Sequence, residues 1–463
     1  MGTGKRKTRI VKILSMASCG VLALSGRAQA SHIEYGVGYD GVFTNNIYRS
    51  ATNRHREYIN MFRGLLAYHK HGRRLDTHLD LEAIGRVFTL GTYRNDVLFG
   101  VNSLTHYIVL PKVLSLSERD IFTQAPIDPR FVMEPTNLQN TNALSIGPNL
   151  SWYVDPIDAF QARLRYQNFY YQNLPSTFPK TFSTSNYRWL ARLRFVHAFS
   201  RYTKASVNYV PSKVIFRNTL INPDYRREDA YIGFGTRLGH LSLTADGGRT
   251  RIEEAGGLGH LSGVLARIAL TDTIGPRSRL TLAGDRSFGD AGRYALQEAP
   301  APNLVLPVAT NPQESIGGGL YYGRTASLSY TYRRVTGADR ISAFWEHLHY
   351  FTLPLSQRLA GGIFNVGYDL SNRVSDSIFG DYVRIHYVSY NANTRYFGAG
   401  TRLRYRLTRR LSVSLEGMYD RGLSRDPVLA YSEWRAIVGI SYLTNPYRMR
   451  TDPFVHYTNA MFY

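Results

Sequence analysis

Cysteine is nearly absent. Cys19 is the only one in 463 residues, and it lies near the N-terminus. Disulfide staples and thiolate metal sites are therefore excluded from the rest of the chain. Long apolar runs are missing too. Beyond residue 30 no stretch of 18 apolar residues occurs, so no spanning helix is expected. Tryptophan is scarce at 4, whereas Tyr reaches 34 and Phe 22. Acidic residues number 34 against 56 Lys and Arg, giving a net charge of +22. No Pro/Gly/Ser-rich linker or charge block divides the chain, so a single unit is expected.

The N-terminus is organised differently from the remainder. Lys5, Arg6, Lys7, Arg9 and Lys12 precede a mostly apolar or small stretch, Ile13 to Leu24, and then Ala28-Gln29-Ala30. This is the layout of a secretory signal peptide over residues 1–30. The apolar part is too short to cross about 30 Å of hydrocarbon. Those 30 residues hold six basic groups and no acid, so the rest of the chain carries about +16.

Past residue 30 the dominant signal is alternation. In "RLRYRLTRRLSVSLEG" (402–417), Arg402, Arg404 and Arg406 alternate with Leu403, Tyr405 and Leu407. The pattern resumes at Leu411, Val413 and Leu415. A strand sorts such residues onto two faces, whereas a helix scatters them around its axis. "AFQARLRYQNFYY" (159–171) and "WLARLRFVHAF" (189–199) repeat the pattern. Arg163 and Arg165, then Arg192 and Arg194, stand opposite Leu, Phe, Ala and aromatic residues. Short connections are expected near 70–73, 111–112, 155–158, 200–203, 239, 275–278, 323, 354–358 and 408–410. Longer polar ones are expected at 42–56, 125–141, 172–184, 218–225, 289–314, 372–393 and 422–429.

Strands of ten or more residues, short turns at one end and long loops at the other describe an outer-membrane barrel. The predicted fold is all-β: an antiparallel, up-and-down transmembrane barrel of about 18–22 strands. It should occupy residues 31–446 in the outer membrane of a Gram-negative bacterium. Residues 447–463 read equally as a last strand or a periplasmic tail.

The face of the arginines follows from cost. A Lys or Arg on the lipid face near mid-bilayer costs about 2–4 kcal/mol. Arg163, Arg165, Arg192, Arg194, Arg402, Arg404 and Arg406 are therefore expected to line the lumen. Arg54, Arg56, Arg226 and Arg227 are expected in loops that meet the phosphates of lipopolysaccharide. Nucleic acid, the usual partner of a basic chain, does not fit an exported one.

No specific catalytic set emerges, and neither a metal nor a cofactor is expected. His240 and His260 share the motif "LGHLS" and are expected at similar heights. Asp76, His78 and Asp80 share one strand face and read as solvated lumen wall. Ser315 in "SIGGG" lacks the first glycine of a nucleophile elbow.

Four segments carry a family resemblance. They are "YDGVFTNNIYRS" (39–50), "LQNTNALSIGPNLSW" (138–152), "DYRREDAYIGFGTRL" (224–238) and "RLTRRLSVSLEGMYD" (406–420). They resemble the outer-membrane β-barrel porin-type family found with exopolysaccharide-export and PEP-CTERM sorting loci. Two positions depart from that family. Asn45 stands where an acid often precedes the asparagine of "NIYR", and Arg409 stands where the late hairpin usually carries Asp. The resemblance implies a pore or scaffold in exopolysaccharide export and no catalytic residues. A general porin for small, preferentially anionic solutes is the first alternative. An outer-membrane enzyme such as a lipid A deacylase is the second.

Overall fold

The computed structural model describes residues 31–444, except 127–133, 173–184, 218, 220–221, 256–258, 291–319, 352–355 and 390. The expected signal peptide and the 447–463 segment lie outside the described residues. Twenty strands run in chain order. β1 to β5 are Ser31–Thr44, Glu57–His71, Leu75–Phe88, Asp96–Leu110 and Leu114–Pro126. β6 to β10 are Leu138–Tyr153, Asp158–Tyr171, Asn186–Ala198, Thr203–Phe216 and Tyr225–Leu238. β11 to β15 are Leu241–Glu254, His260–Asp272, Ser278–Gly289, Tyr321–Arg334 and Gly337–Tyr350. β16 to β20 are Gln357–Asp369, Val374–Tyr387, Ala392–Arg406, Leu411–Ser424 and Tyr431–Leu443.

Each strand pairs antiparallel with its neighbours in sequence, and β20 pairs with β1 from Gly36↔Leu443 to Thr44↔Arg435. The sheet is thus a closed up-and-down barrel without free edges. Closure satisfies the backbone donors and acceptors that hydrocarbon cannot serve.

Connections differ at the two ends. At one end they are two to five residues long, and at the other they are mostly longer, as in 45–56, 172–185 and 290–320. The short-turn end is periplasmic in such barrels. Several short turns use one device. Ser200, Ser371 and Thr408 each present a hydroxyl that accepts two backbone N–H groups two and three residues on. Asp155 does the same with its carboxylate, at 2.8 and 2.6 Å. This local satisfaction of the backbone replaces the Asn-Gly chemistry of other hairpins. It explains why Thr408-Arg409-Arg410 turns at all.

Three connections differ from the sequence reading. The short turn expected at 354–358 falls instead between β15, which ends at Tyr350, and β16, which begins at Gln357, at the long-connection end. Gly323 is not a turn but an interior residue of β14, buried opposite Leu348. A side chain there would meet Tyr321 at 3.3 Å and Leu348 at 3.4 Å, so glycine serves packing. The polar stretch 372–393 is not a long loop but contains β17. Its lumen residues Ser375, Ser377 and Asp381 gave it the look of a connection. The actual short turns are 335–336 and 370–373.

Candidate functional site

Alternation assigns every strand an inner and an outer face. Leu164, Trp189, Leu193, Leu403 and Tyr405 are exposed, and all lie on the outer face. So do all four tryptophans, Trp152, Trp189, Trp345 and Trp434, each exposed. Amphipathic rings on a lipid-facing wall are the interfacial anchors of membrane proteins. Apolar groups cover a closed cylinder from outside, and long connections crown one end.

The chain is an outer-membrane β-barrel. No protein-family model and no curated protein sequence matches it. Among solved structures it is similar to OccK2 (OpdF) of Pseudomonas aeruginosa. Identity there is 10% over 91% of this chain and 100% of that one, with a TM-score of 0.40. It is also similar to a mutant of the ferric enterobactin receptor PfeA of the same organism. Here identity is 9%, coverage is 90% and 81%, and the TM-score is 0.48. OccAB3 of Acinetobacter baumannii gives 9% identity, 89% and 99% coverage, and a TM-score of 0.37. The likeness is one of fold.

The inner face divides by height. The periplasmic half carries the seven arginines expected in the lumen. Arg163 and Arg165 on β7, Arg192 and Arg194 on β8, and Arg402, Arg404 and Arg406 on β18 all take the inner parity. Each lies within eight residues of the short-turn end of its strand. Arg163 stands directly opposite Arg192 across the β7–β8 pair. Like charges in that position repel. Arg192 and Arg194 have no carboxylate at salt-bridge distance among the described residues. Arg165 is held by Ser117 Oγ at 2.9 Å, by the Pro148 carbonyl at 3.0 Å and by Asn149 Oδ1. On β18, Arg402 pairs with Glu416, whereas Arg404 stands between Ser375 and Ser414 and Arg406 opposite Ser412. β8 and β18 are ten strands apart in a ring of twenty, so the two ladders occupy opposite walls. A third basic group, Arg277, Arg279, Arg333 and Arg340, lines a cavity of about 210 Å³ at the periplasmic mouth.

The extracellular half is packed. Inner-face Val42, Ile59, Met61, Ile84, Phe88, Met418 and Ile437 form one buried cluster, against which Ile47 of connection 45–56 packs. Leu429 of connection 425–430 joins a second cluster with Leu359, Val383 and Ile385. Phe288 and Leu320, at the two roots of connection 290–320, join a third with Val214, Phe216 and Ile252. These apolar lumen residues escaped the sequence reading, which assigned apolar faces to lipid. Their cover is the inward-turned roots of the long connections.

Buried ions tie those roots down. Arg49, from the "NNIYR" stretch, pairs with Glu433 on β20 at 2.8 Å and lies 3.7 Å from Asp420 on β19. Arg435 pairs with the same Asp420, and Thr44 donates to Glu433 at 2.6 Å. Asp290, the first residue after β13, reaches Arg188 on β8 at 2.6 Å. It also accepts from the Tyr225 hydroxyl on β10 at 2.6 Å. Tyr93, in connection 89–95, donates to Glu134, and burial together with that carboxylate raises its pKa. The sequence reading left open whether 289–314 folds inward. Asp290 reaches into the lumen, and 291–319 lie outside the described residues.

The expected lipopolysaccharide contacts divide. Arg54 and Arg56 are exposed in connection 45–56, and Arg226 is exposed on the outer face of β10. Arg227 is a correction. It is 5% exposed, faces inward, pairs with Asp229 at 2.9 Å and donates to the Phe288 carbonyl at 2.9 Å. It is one residue from Arg226, and one residue reverses the face. The register shows a further outward row. Arg286 on β13, Arg324 on β14, His347 on β15, Arg358 on β16 and His386 on β17 stand side by side. All lie within four residues of the long-connection end, on the same face as Leu282, Leu328, Trp345, Phe364 and Tyr382.

His240 and His260 are also corrected. His240 sits in the periplasmic turn, bonded to Asp272 at 2.6 Å, whereas His260 opens β12 at the extracellular end. They cannot act as a pair. Among the described residues no serine hydroxyl joins the Asp–His pairs at 71/76, 158/197 or 240/272.

Proposed function

We propose that the barrel is an outer-membrane pore for anionic solutes and that its cargo is an acidic polysaccharide leaving the periplasm. The observation that carries this reading is the pair of arginine ladders on opposite walls of the periplasmic half. Arg192 and Arg194, without a carboxylate at salt-bridge distance among the described residues, offer their guanidinium groups to a passing anion. A unit charge 4 Å away in water contributes only about 1 kcal/mol, so each contact is weak and reversible. A conduit needs that weakness, because it must release what it admits. The place of the ladders at the periplasmic side favours capture there.

The polysaccharide is the finer part of the reading, supported by the resemblance of the four segments. Deletion of the gene is expected to abolish surface polysaccharide while cells remain viable. Secretion at the parental level, measured by extraction and uronic-acid assay, would leave a general anion porin.

The outward row is proposed to hold lipopolysaccharide. Guanidinium groups pair with phosphate oxygens in bidentate fashion. Arg286, Arg324 and Arg358, with Arg54, Arg56 and Arg226, would ring the outer leaflet at phosphate height. The triple variant Arg286→Gln, Arg324→Gln and Arg358→Gln should co-purify with less lipopolysaccharide, since three contacts of about 1 kcal/mol each amount to about a hundredfold in affinity. An unchanged ratio on silver-stained gels would remove this assignment.

A further inference from the structure

Five of the thirteen histidines gather at one place. β1 to β4 present His32, His69, His71, His78 and His106 at their periplasmic ends, on the inner parity. His32 stands opposite His69, and His69 opposite His78. One row further out, His71 stands opposite Asp76, and Asp76 opposite His106. The parity is secured by buried inner-face neighbours, Glu34 on β1, Ala67 on β2 and Glu82 on β3.

Within this group the geometry is close. His78 Nδ1 lies 2.6 Å from His69 Nδ1, and His78 Nε2 lies 2.6 Å from Asp80 Oδ2. The ligand atoms of His69, His78 and Asp80 all fall within 4.8 Å of one another. We propose that these three residues form a binding site for a divalent transition-metal ion of the zinc type. Nε2–H of His78 donates to the Asp80 carboxylate. That fixes the tautomer and turns the lone pair of Nδ1 toward Nδ1 of His69, the arrangement by which carboxylates orient metal-binding imidazoles. Opening the two nitrogens from 2.6 Å to about 3.3 Å seats a tetrahedral ion about 2.0–2.1 Å from each. Asp80 thus orients rather than ligates, and paired imidazole nitrogens favour zinc, copper or nickel over magnesium or calcium, which prefer all-oxygen sets. His32, across the pair from His69, stands where a further donor is needed. A bound ion places positive charge at the mouth of the lumen.

The site is separate from the arginine ladders, so it stands or falls independently of the transport reading. The test uses the full-length mature protein in detergent, purified without a histidine tag and stripped with EDTA. Calorimetric titration with Zn²⁺ should give one tight equivalent, and Mg²⁺ none. His69→Ala and His78→Ala should each weaken Zn²⁺ at least about tenfold, and Asp80→Asn by about 10–100-fold, as loss of an orienting carboxylate does. His71→Ala and His240→Ala should leave the tight equivalent in place. Heat-modifiable electrophoretic mobility reports that each variant keeps its barrel. Co²⁺ bound to the wild type should show visible absorption of nitrogen-ligated, low-coordination cobalt, a readout that needs no substitution. Absence of stoichiometric Zn²⁺ binding, or equal affinity in the His69→Ala/His78→Ala double variant, overturns the proposal.

Discussion

On the proposed reading, replacing Arg192, Arg194, Arg404 and Arg406 by Glu should turn the channel from anion-preferring to cation-preferring. Each change moves the wall by two charges, on both ladders at once. Arg402 is left in place because it pairs with Glu416, and a glutamate there would face that carboxylate. Arg165 is left because Ser117, Asn149 and the Pro148 carbonyl hold it as part of the wall. In a planar bilayer under a KCl gradient, the reversal potential of the wild type should lie on the chloride side. That of the fourfold variant should lie on the potassium side. The difference should be largest at low salt, where the Debye length exceeds the spacing of the rungs, and should shrink toward 1 M, where it falls to about 3 Å. A reversal potential of unchanged sign, in protein that still migrates as a folded barrel, would show that ions do not pass between the ladders.

These ladders were legible in the sequence because nothing interrupts their alternation. Around the rungs themselves, at 161–167, 192–195 and 402–406, the inner residues are Arg and Gln and the outer ones Leu, Phe, Ala and Tyr, so period alone sorts them. Elsewhere the same rule lost its contrast. β17 carries Ser375, Ser377 and Asp381 inside, but Arg384 and His386 outside near its upper end, so both faces look polar. In the upper lumen the failure is the reverse, since inner residues such as Met61 and Ile84 are as apolar as those meeting lipid. Cross-strand chemistry was hidden for a different reason. His69 and His78 each lie two residues from the pair His71↔Asp76 that closes the turn, and only the turn's length makes them partners. The turn was expected at 70–73, a shift that hides the pairing. The long-range ions were out of reach altogether, because Arg49 finds Glu433 only when the last strand meets the first.

The same closure explains what Asp290 does. Its carboxylate is buried with Arg188 and Tyr225, five and three strands away around the ring from β13. A contact that long cannot be made along the wall; the chain leaving β13 has to turn into the lumen. Arg227, which holds the Phe288 carbonyl, fixes the turn just before it. Asp290→Ala should therefore free the root of connection 290–320 and leave Arg188 buried without its partner. Breaking a buried pair on one side costs about 3–5 kcal/mol, and most of that reflects the stranded charge. The expected outcome is a larger and noisier single-channel conductance, together with earlier loss of heat-modifiable migration. The double change Asp290→Ala with Arg188→Met removes the stranded charge and should restore much of the thermal resistance. The enlarged conductance should persist, because nothing then draws the root inward. If conductance in both variants equals that of the wild type, the Asp290 tether does not stand in the ion path, and the constriction must be sought among the arginines below.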